Sequence, residues 1–370
     1  MTNRIWILGA SDPEMERVES VLVMCGEKFV HATCRGERVT SATAYSDECV
    51  WEDPIQLTPP RWDEVVVAVE CTPRRADSKY AQITTIYLDH HRPGDWGYGV
   101  HPREFLRGSS LGQLLILLAQ QRAFPEELPA EWRELPKYWN SGHLHSHTHD
   151  DPAGTLIYCR QWVETDGNCG CDGAFGDHCW ILSLGDKRWV QIPTHIVHAA
   201  AADHCLRAAY CGECPGVIPS LFGEWRLATR AAHQGRTVDT VRADMERATQ
   251  AVLDAGVIAL DDENLQYECF DSQLCISDIV ADPDLAPRDA IVADFRGEEI
   301  PELSEAACRL GIAYLATPKP SPDGRRKVVL QCASPRHLAA WPAWAEENGI
   351  VDCYGGDPAR GFAGGYYADR

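Results

Sequence analysis

Along the first 120 residues, apolar positions switch between the short runs of strands and the spaced stripes of helices. Residues 5–8 form an apolar run that stops at Gly9-Ala10-Ser11-Asp12-Pro13. Ser11 or Asp12 can cap a helix there, and Pro13 suits its first turn. Val18, Val21 and Leu22 then recur at helical spacing up to Gly26, a residue suited to a helix C-terminus. Residues 28–33 read as the next strand, the β-branched run 65–69 as a buried strand and 83–88 as another. Residues 110–119 make an apolar helix after Gly108-Ser109. This alternation predicts a parallel sheet with helices on both faces.

The pattern then changes. Residues 124–151 are rich in Pro, Trp and His and read as an irregular insertion. The runs 180–184 and 188–192 flank Gly185-Asp186-Lys187, a hairpin signal. Residues 197–209 are Ala-rich and helical. Residues 237–255 place Val238, Val241, Met245 and Val252 on one stripe, predicting an amphipathic helix ended by Gly256. Beyond it come strand signals at 290–295, 313–317 and 327–332, helices at 304–310 and 335–348, and a glycine-rich segment at 354–365. The predicted fold class is α/β: a parallel-sheet N-terminal domain over 1–235, with an insertion at about 124–195, a linker helix over 236–259, and a smaller α/β domain over 260–370.

Composition narrows the partners. The 370 residues carry 55 acidic against 34 basic side chains, a formal charge of −21. Such a charge repels polyanions, so long duplex nucleic acid is not expected as a partner. A small phosphorylated ligand in a local pocket is compatible with it. No apolar run approaches the roughly 18 residues needed to span a membrane, and residues 1–10 lack a signal-peptide layout. A cytoplasmic protein is expected. The 16 cysteines then read as thiols or metal ligands rather than a disulfide framework. Cys25, Cys34, Cys308 and Cys332 lie in apolar contexts and read as small core residues.

Ligands of open parallel sheets sit at the carboxyl ends of the strands. Asp12 and Glu14 follow the first strand, Glu70 ends the 65–69 run, and Asp89-His90-His91 ends the 83–88 run. Singly, Asp12 reads as a helix cap and Glu70 as a solvated strand end. Jointly, carboxylates and imidazoles at one sheet edge make a divalent metal site.

These motifs resemble the DHH phosphoesterase family, which includes RecJ-like exonucleases, nanoRNases, prune-like proteins and family II inorganic pyrophosphatases. The matching residues are Asp12-Pro13-Glu14, Glu70, Asp89-His90-His91, Ser109-Ser110 opening the next helix, and Asp203 as the later acid. The segment from Gly355-Gly356 to Gly364-Gly365 resembles the family's C-terminal glycine-rich loop. The resemblance implies Mn2+ or Mg2+ as cofactor. It places one cation on Glu14, Glu70, His90 and Asp203 and a second on Asp12 and Glu70. Asp89 would orient His90, and His91 and Arg92 would contact the phosphate. The implied activity is hydrolysis of phosphodiester or phosphoanhydride bonds in small nucleotides or short single-stranded oligonucleotides. The chain departs from the family at Leu8, where a His is usual, at Glu14 and Glu70, where Asp is usual, and at Asp357, where the loop carries His. A catalytically impaired relative that binds a nucleotide or protein partner is the alternative.

Other residues add candidates. Arg360 lies in the glycine-rich segment, where backbone N–H groups of Gly355, Gly356 and Gly364 could cradle a phosphate. His143, His145, His147 and His149 would share one side of an extended strand, or line a polar loop. Cys159, Cys169, Cys171 and Cys179 are candidates for a structural Zn2+ site, and Cys205, Cys211 and Cys214 read either as a further thiol cluster or as buried thiols.

Overall fold

The computed structural model describes residues 4–41, 43–51, 65–75, 84–135, 155–160, 178–260, 275–282, 284–317 and 324–368. The chain divides into two compact units, Met1–His204 with Gly212–Ile218, and Cys205–Cys211 with Pro219–Arg370.

In the first unit the predicted strands form one parallel sheet in the order Phe29–His31, Arg4–Leu8, Val65–Val69, Thr84–Leu88. The sheet is buried, so its strands read as continuous apolar runs. Trp6, Ile7, Leu8, Val67, Ala68, Val69 and Leu88 are fully buried, the Val, Ile and Leu side chains each contributing about 1.5–3 kcal/mol of hydrophobic burial. Ile7, Val66 and Ala68 pack with Ala32, Val39, Cys49 and Trp51 in one core cluster.

Register positions the site. Leu8 is aligned with Val69, and Val69 with Leu88. The three strands therefore end in line, and the residues that follow are Gly9, Glu70 and Asp89. Helix Pro13–Met24 starts where predicted: Asp12 caps it, its Oδ1 accepting from Met15 N at 2.7 Å. Helix Ser110–Gln120 is capped by Ser109 and is buried on nearly every side, which matches its largely apolar sequence.

The hairpin at 185–187 forms as read. Strands His178–Gly185 and Arg188–Gln191 are antiparallel, and Asp186 and Lys187 take positive φ, the geometry of a tight turn. Leu156–Arg160 and Arg133–Glu134 extend this sheet within the expected insertion. Helix Thr194–Tyr210 is broken at Cys205, whose φ of −157° and ψ of 92° are not helical.

The second unit holds a six-stranded sheet, Val257–Ala259, Ile291–Phe295, Ala313–Ala316, Lys327–Gln331, Phe362–Tyr367 and Ile350–Asp357, with one parallel pair. Helices Val238–Asp254 and Leu303–Leu310 contribute to one core, and Trp341 and Trp344 of helix Pro335–Glu347 to another.

Several expectations are corrected here. The 237–255 helix is not a linker: Ala248 and Val252 of its apolar stripe pack in the core of the second unit. The units accordingly divide near residues 204 and 219 rather than at 235. The glycine-rich segment is not a loop, because Gly355, Gly356 and Gly364 lie in paired antiparallel strands. Finally, Cys308 and Cys332 are bonded in a disulfide; their Cα atoms are 5.7 Å apart where helix and strand pack together. Cys25 and Cys34 are half-buried rather than core residues. Among the described residues, no helix is long and apolar enough to cross a membrane.

Candidate metal centre

The strand ends of the first unit converge on one acidic cluster. His90, fully buried, points its Nε2 at Asp203 Oδ2 (2.9 Å) and at Glu70 Oε1 (3.5 Å). Ligand atoms of Glu70, His90 and His91 all lie within 4.8 Å of one another, and so do those of Asp12, Glu70 and Asp203. Glu70 belongs to both groups. This buried cluster of carboxylates and imidazoles could hold a metal ion.

The backbone builds the cluster with some strain. Glu70 has a φ of 51°, in the left-handed region that costs a side-chain-bearing residue roughly 1–2 kcal/mol. Its N–H still donates to Leu88 O at 3.1 Å, so the strand pairing survives the turn. The turn after Asp89 is closed by Gly97 N donating to Asp89 O at 3.0 Å. Gly97 is required there, since a Cβ would stand 2.6 Å from His90 Cβ and 1.9 Å from Gly108 O.

Asp89 is a hub rather than an orienter of the His90 ring. Its Oδ1 accepts from His90 N (2.7 Å), His91 N (3.0 Å) and His91 Nδ1 (2.7 Å), and its Oδ2 accepts from the Tyr45 hydroxyl (2.9 Å). The side chain it orients is therefore His91. Burial pushes the Asp89 carboxyl up, but the hydrogen bond and charge of His91 outweigh it and hold Asp89 below its ordinary value. Gln113 secures the backbone beneath: its Oε1 accepts from Asp89 N (3.1 Å) and its Nε2 donates to Asp89 O (3.1 Å) and Gly108 O (3.0 Å).

Glu14 is buried and accepts from Leu111 N at 2.8 Å, at the opening turn of helix Ser110–Gln120. It falls in neither ligand group. Burial raises its carboxyl well above the ordinary carboxylate range, and the negative charges of Asp203, Glu70 and Asp12 raise it further. Carboxylates crowded in this way suit a cation that would relieve their repulsion.

Asp203 reaches the cluster from helix Thr194–Tyr210, just before its break. Its neighbour His204 is fully buried, with Nε2 2.7 Å from Val100 O. Gly108 leaves room for that ring: a Cβ there would be 2.4 Å from His204 Cε1. Leu8, where the family resemblance expects a ligand, is fully buried in the sheet. Arg92 is exposed; its guanidinium lies 4.5 Å from the centroid of the Tyr45 ring.

The structure thus brings Asp12, Glu14, Glu70, Asp89, His90, His91 and Asp203 together within the first unit. Three of the four residues that the resemblance gives to one cation, Glu70, His90 and Asp203, meet at His90 Nε2; His91 also groups with Glu70 and His90, Asp12 groups with Glu70 and Asp203, and Glu14 gives Oε1 to Leu111 N while its carboxyl lies beside Asp203. Gly355, Gly356, Arg360 and Gly364 belong to the second unit. Of the zinc candidates, Cys159 and Cys179 are directly opposed on antiparallel strands; Cys169 and Cys171 lie outside the described residues, as do His143, His145, His147 and His149. Tyr45 and Gln113 were missed. A lone amide inside the apolar helix is a signal that could have pointed to Gln113; nothing local distinguishes Tyr45.

Compared with protein-family models, with curated proteins and with solved structures, the chain matches none.

Proposed function

We propose that the first unit is the catalytic part of a metal-dependent phosphoesterase. It would hydrolyse phosphodiester or phosphoanhydride bonds of small nucleotides or short oligonucleotides, with Mn2+ or Mg2+ as cofactor. The observation that carries this reading is the sharing of Glu70 between two adjacent ligand groups. A carboxylate common to two groups suits a pair of divalent cations, and paired cations suit in-line phosphoryl chemistry. The hard oxygen donors, and the burial and crowding that lift the Glu14 carboxyl, fit divalent cations of this class.

Glu70, His90 and His91 would hold one ion, and Asp12, Glu70 and Asp203 the other. When bound, such ions supply Lewis acidity at a phosphoryl oxygen and lower the pKa of water. The chain supplies the rest. Asp89 holds the His91 ring by its Nδ1, which leaves Nε2 as the nitrogen able to present a lone pair. Arg92, exposed beside the centre, offers a planar bidentate contact to phosphate. The sequence resemblance to DHH phosphoesterases supports the activity class and the phosphate contact of Arg92, while it gives His91 to the phosphate rather than to a cation.

The test is Mn2+-dependent release of mononucleotides from a short oligonucleotide. Asp89→Ala and His90→Ala should abolish it; turnover equal to the parent in both would overturn the reading. A second reading, a cation-binding protein without turnover, is favoured by Leu8, whose buried side chain offers no ligand. Bound cation without release of product would support it.

A further inference from the structure

Tyr45 belongs to neither ligand group, yet it touches three residues of the Asp89–Arg92 segment. Its hydroxyl lies 2.9 Å from Asp89 Oδ2 and 3.0 Å from His91 Nδ1. Its ring carries the Arg92 guanidinium at 4.5 Å from the centroid. The backbone on both sides is pinned. Thr43 N and Ala44 N donate to Thr40 O, both at 2.9 Å, and Ser46 N to Thr43 O at 3.1 Å. Thr72 N, two residues past Glu70, donates to Ala44 O at 3.0 Å. The ring packs against the buried cluster of Ile7, Val66 and Ala68.

The direction of each hydrogen bond follows from the donors present. An ionised carboxylate only accepts, so His91 Nδ1, 2.7 Å from Asp89 Oδ1, carries the proton. The Tyr45 hydroxyl donates to Asp89 Oδ2, and its lone pair can share the Nδ1 proton. Both oxygens of Asp89 and the plane of the His91 ring are thereby fixed together. The arrangement presents the Nε2 lone pair in one orientation.

We propose that Tyr45 is the positioning residue of this centre. Its hydroxyl, bonded to Asp89 Oδ2 and facing His91 Nδ1, fixes the ring plane of the tautomer that Asp89 sets, and its ring fixes Arg92. The inference rests on reading His91 as a cation ligand and Arg92 as a phosphate contact. Hydroxyl and ring are separable by mutation. Tyr45→Phe removes only the hydroxyl, and Tyr45→Leu removes both.

Two measurements test it. In the metal-free full-length protein, the imidazole nitrogen shifts of His91, assigned by comparison with His91→Asn, should report a proton on Nδ1. Tyr45→Phe should move those shifts and weaken Co2+ binding, followed by its visible absorption, by roughly 10–100-fold. Tyr45→Leu should in addition raise KM for a phosphodiester by roughly two- to fivefold, the worth of an exposed cation–π contact. Parent-like nitrogen shifts and Co2+ affinity in Tyr45→Phe would overturn the proposal whatever the turnover. A parent that hydrolyses no phosphoester, with Tyr45→Phe still losing Co2+ affinity and shifting His91, would sink the phosphoesterase reading and support the positioning role.

Discussion

Gly9 lies directly against the backbone of Glu70: a Cβ on Gly9 would stand 2.4 Å from the Glu70 carbonyl oxygen and 3.0 Å from that of Val69. The same glycine donates its N–H to Val69 O at 3.0 Å. The backbone of the residue shared by both ligand groups is thus packed against a residue without a side chain. Gly9→Ala must push the two strand ends apart. Overpacking of this kind costs about 1–3 kcal/mol, to be read by urea unfolding. Because the displaced residue is Glu70, divalent cation affinity should fall in the same variant. Unchanged stability and affinity would show that the contact relaxes freely.

Gln113 joins the helix Ser110–Gln120 to the metal loop through one buried amide. It satisfies the N–H and C=O of Asp89 and the C=O of Gly108. Gln113→Leu keeps the size and removes every bond. Each buried polar group left unsatisfied costs roughly 1–3 kcal/mol. The expected outcome is a marked drop in thermal midpoint together with weakened cation binding, since Asp89 anchors His91.

How much of this was legible in the sequence depends on the range of the interaction. The strand ends were legible because β-branched and apolar runs stop at Gly9, Glu70 and Asp89, and parallel register does the rest. Asp12 was legible as a cap because Pro13 follows it. Tyr45 was not, since its partners lie 44 and 46 residues away and its own stretch has no periodicity. The glycine-rich tail was misread for a different reason. Glycine weakens strand propensity, but Gly364 is needed in its strand because a Cβ would stand 2.5 Å from the Tyr354 hydroxyl oxygen. The helix Val238–Asp254 showed its stripe clearly, whereas the stripe's destinations, a core with Ala306 and Ala307 for Val252 and a cluster with Leu227 and Ala231 for Val241 and Met245, are not encoded in the stripe itself.

The raised Glu14 carboxyl sets a pH dependence for the cation-free protein. Burial, then Asp203 and Glu70, lift its folded-state pKa above the unfolded value. The native state therefore holds a proton that the unfolded chain releases first. The contribution is present below the ordinary carboxylate pKa and is lost as pH rises through the window between the two values. Glu14→Gln keeps an oxygen to accept from Leu111 N and removes the charge. It should stabilise the cation-free protein once pH has risen above the raised Glu14 value and flatten the decline in stability as pH rises out of the ordinary carboxylate range, as measured by chemical denaturation. A saturating divalent cation should mask the difference.

In the second unit, Glu305 is almost completely buried against Arg226, with the Tyr210 hydroxyl donating to its Oε2 at 2.8 Å. Burial pushes the Glu305 carboxyl up, and the Arg226 charge outweighs it, so the group stays ionised below its ordinary value. Arg226→Met leaves that charge without its main partner, which costs about 3–5 kcal/mol. Arg226→Met combined with Glu305→Gln should recover a large part of the loss. Equal stability of the single and double variants would show that Arg230, 3.5 Å from Glu305, compensates on its own.

Shared ligation by Glu70 makes a prediction about stoichiometry. If the groups Glu70, His90, His91 and Asp12, Glu70, Asp203 each hold an ion, removing a ligand particular to one group should leave the other filled. Asp12→Asn is suited to this because asparagine is as good a helix cap as aspartate, so helix Pro13–Met24 keeps its bond from Met15 N. Calorimetric titration with Mn2+ should then fall from two sites to one. Glu70→Gln touches both groups and should weaken both sites. The same series can be read through stability, because a ligand that binds only the folded state at 100 times its Kd adds about 2.7 kcal/mol. The stabilisation by Mn2+ should be largest in the parent, smaller in Asp12→Asn and nearly absent in Glu70→Gln. One Mn2+ in the parent and one in Asp12→Asn would reduce the centre to the single ion on Glu70, His90 and His91, the arrangement that the buried Leu8 favours.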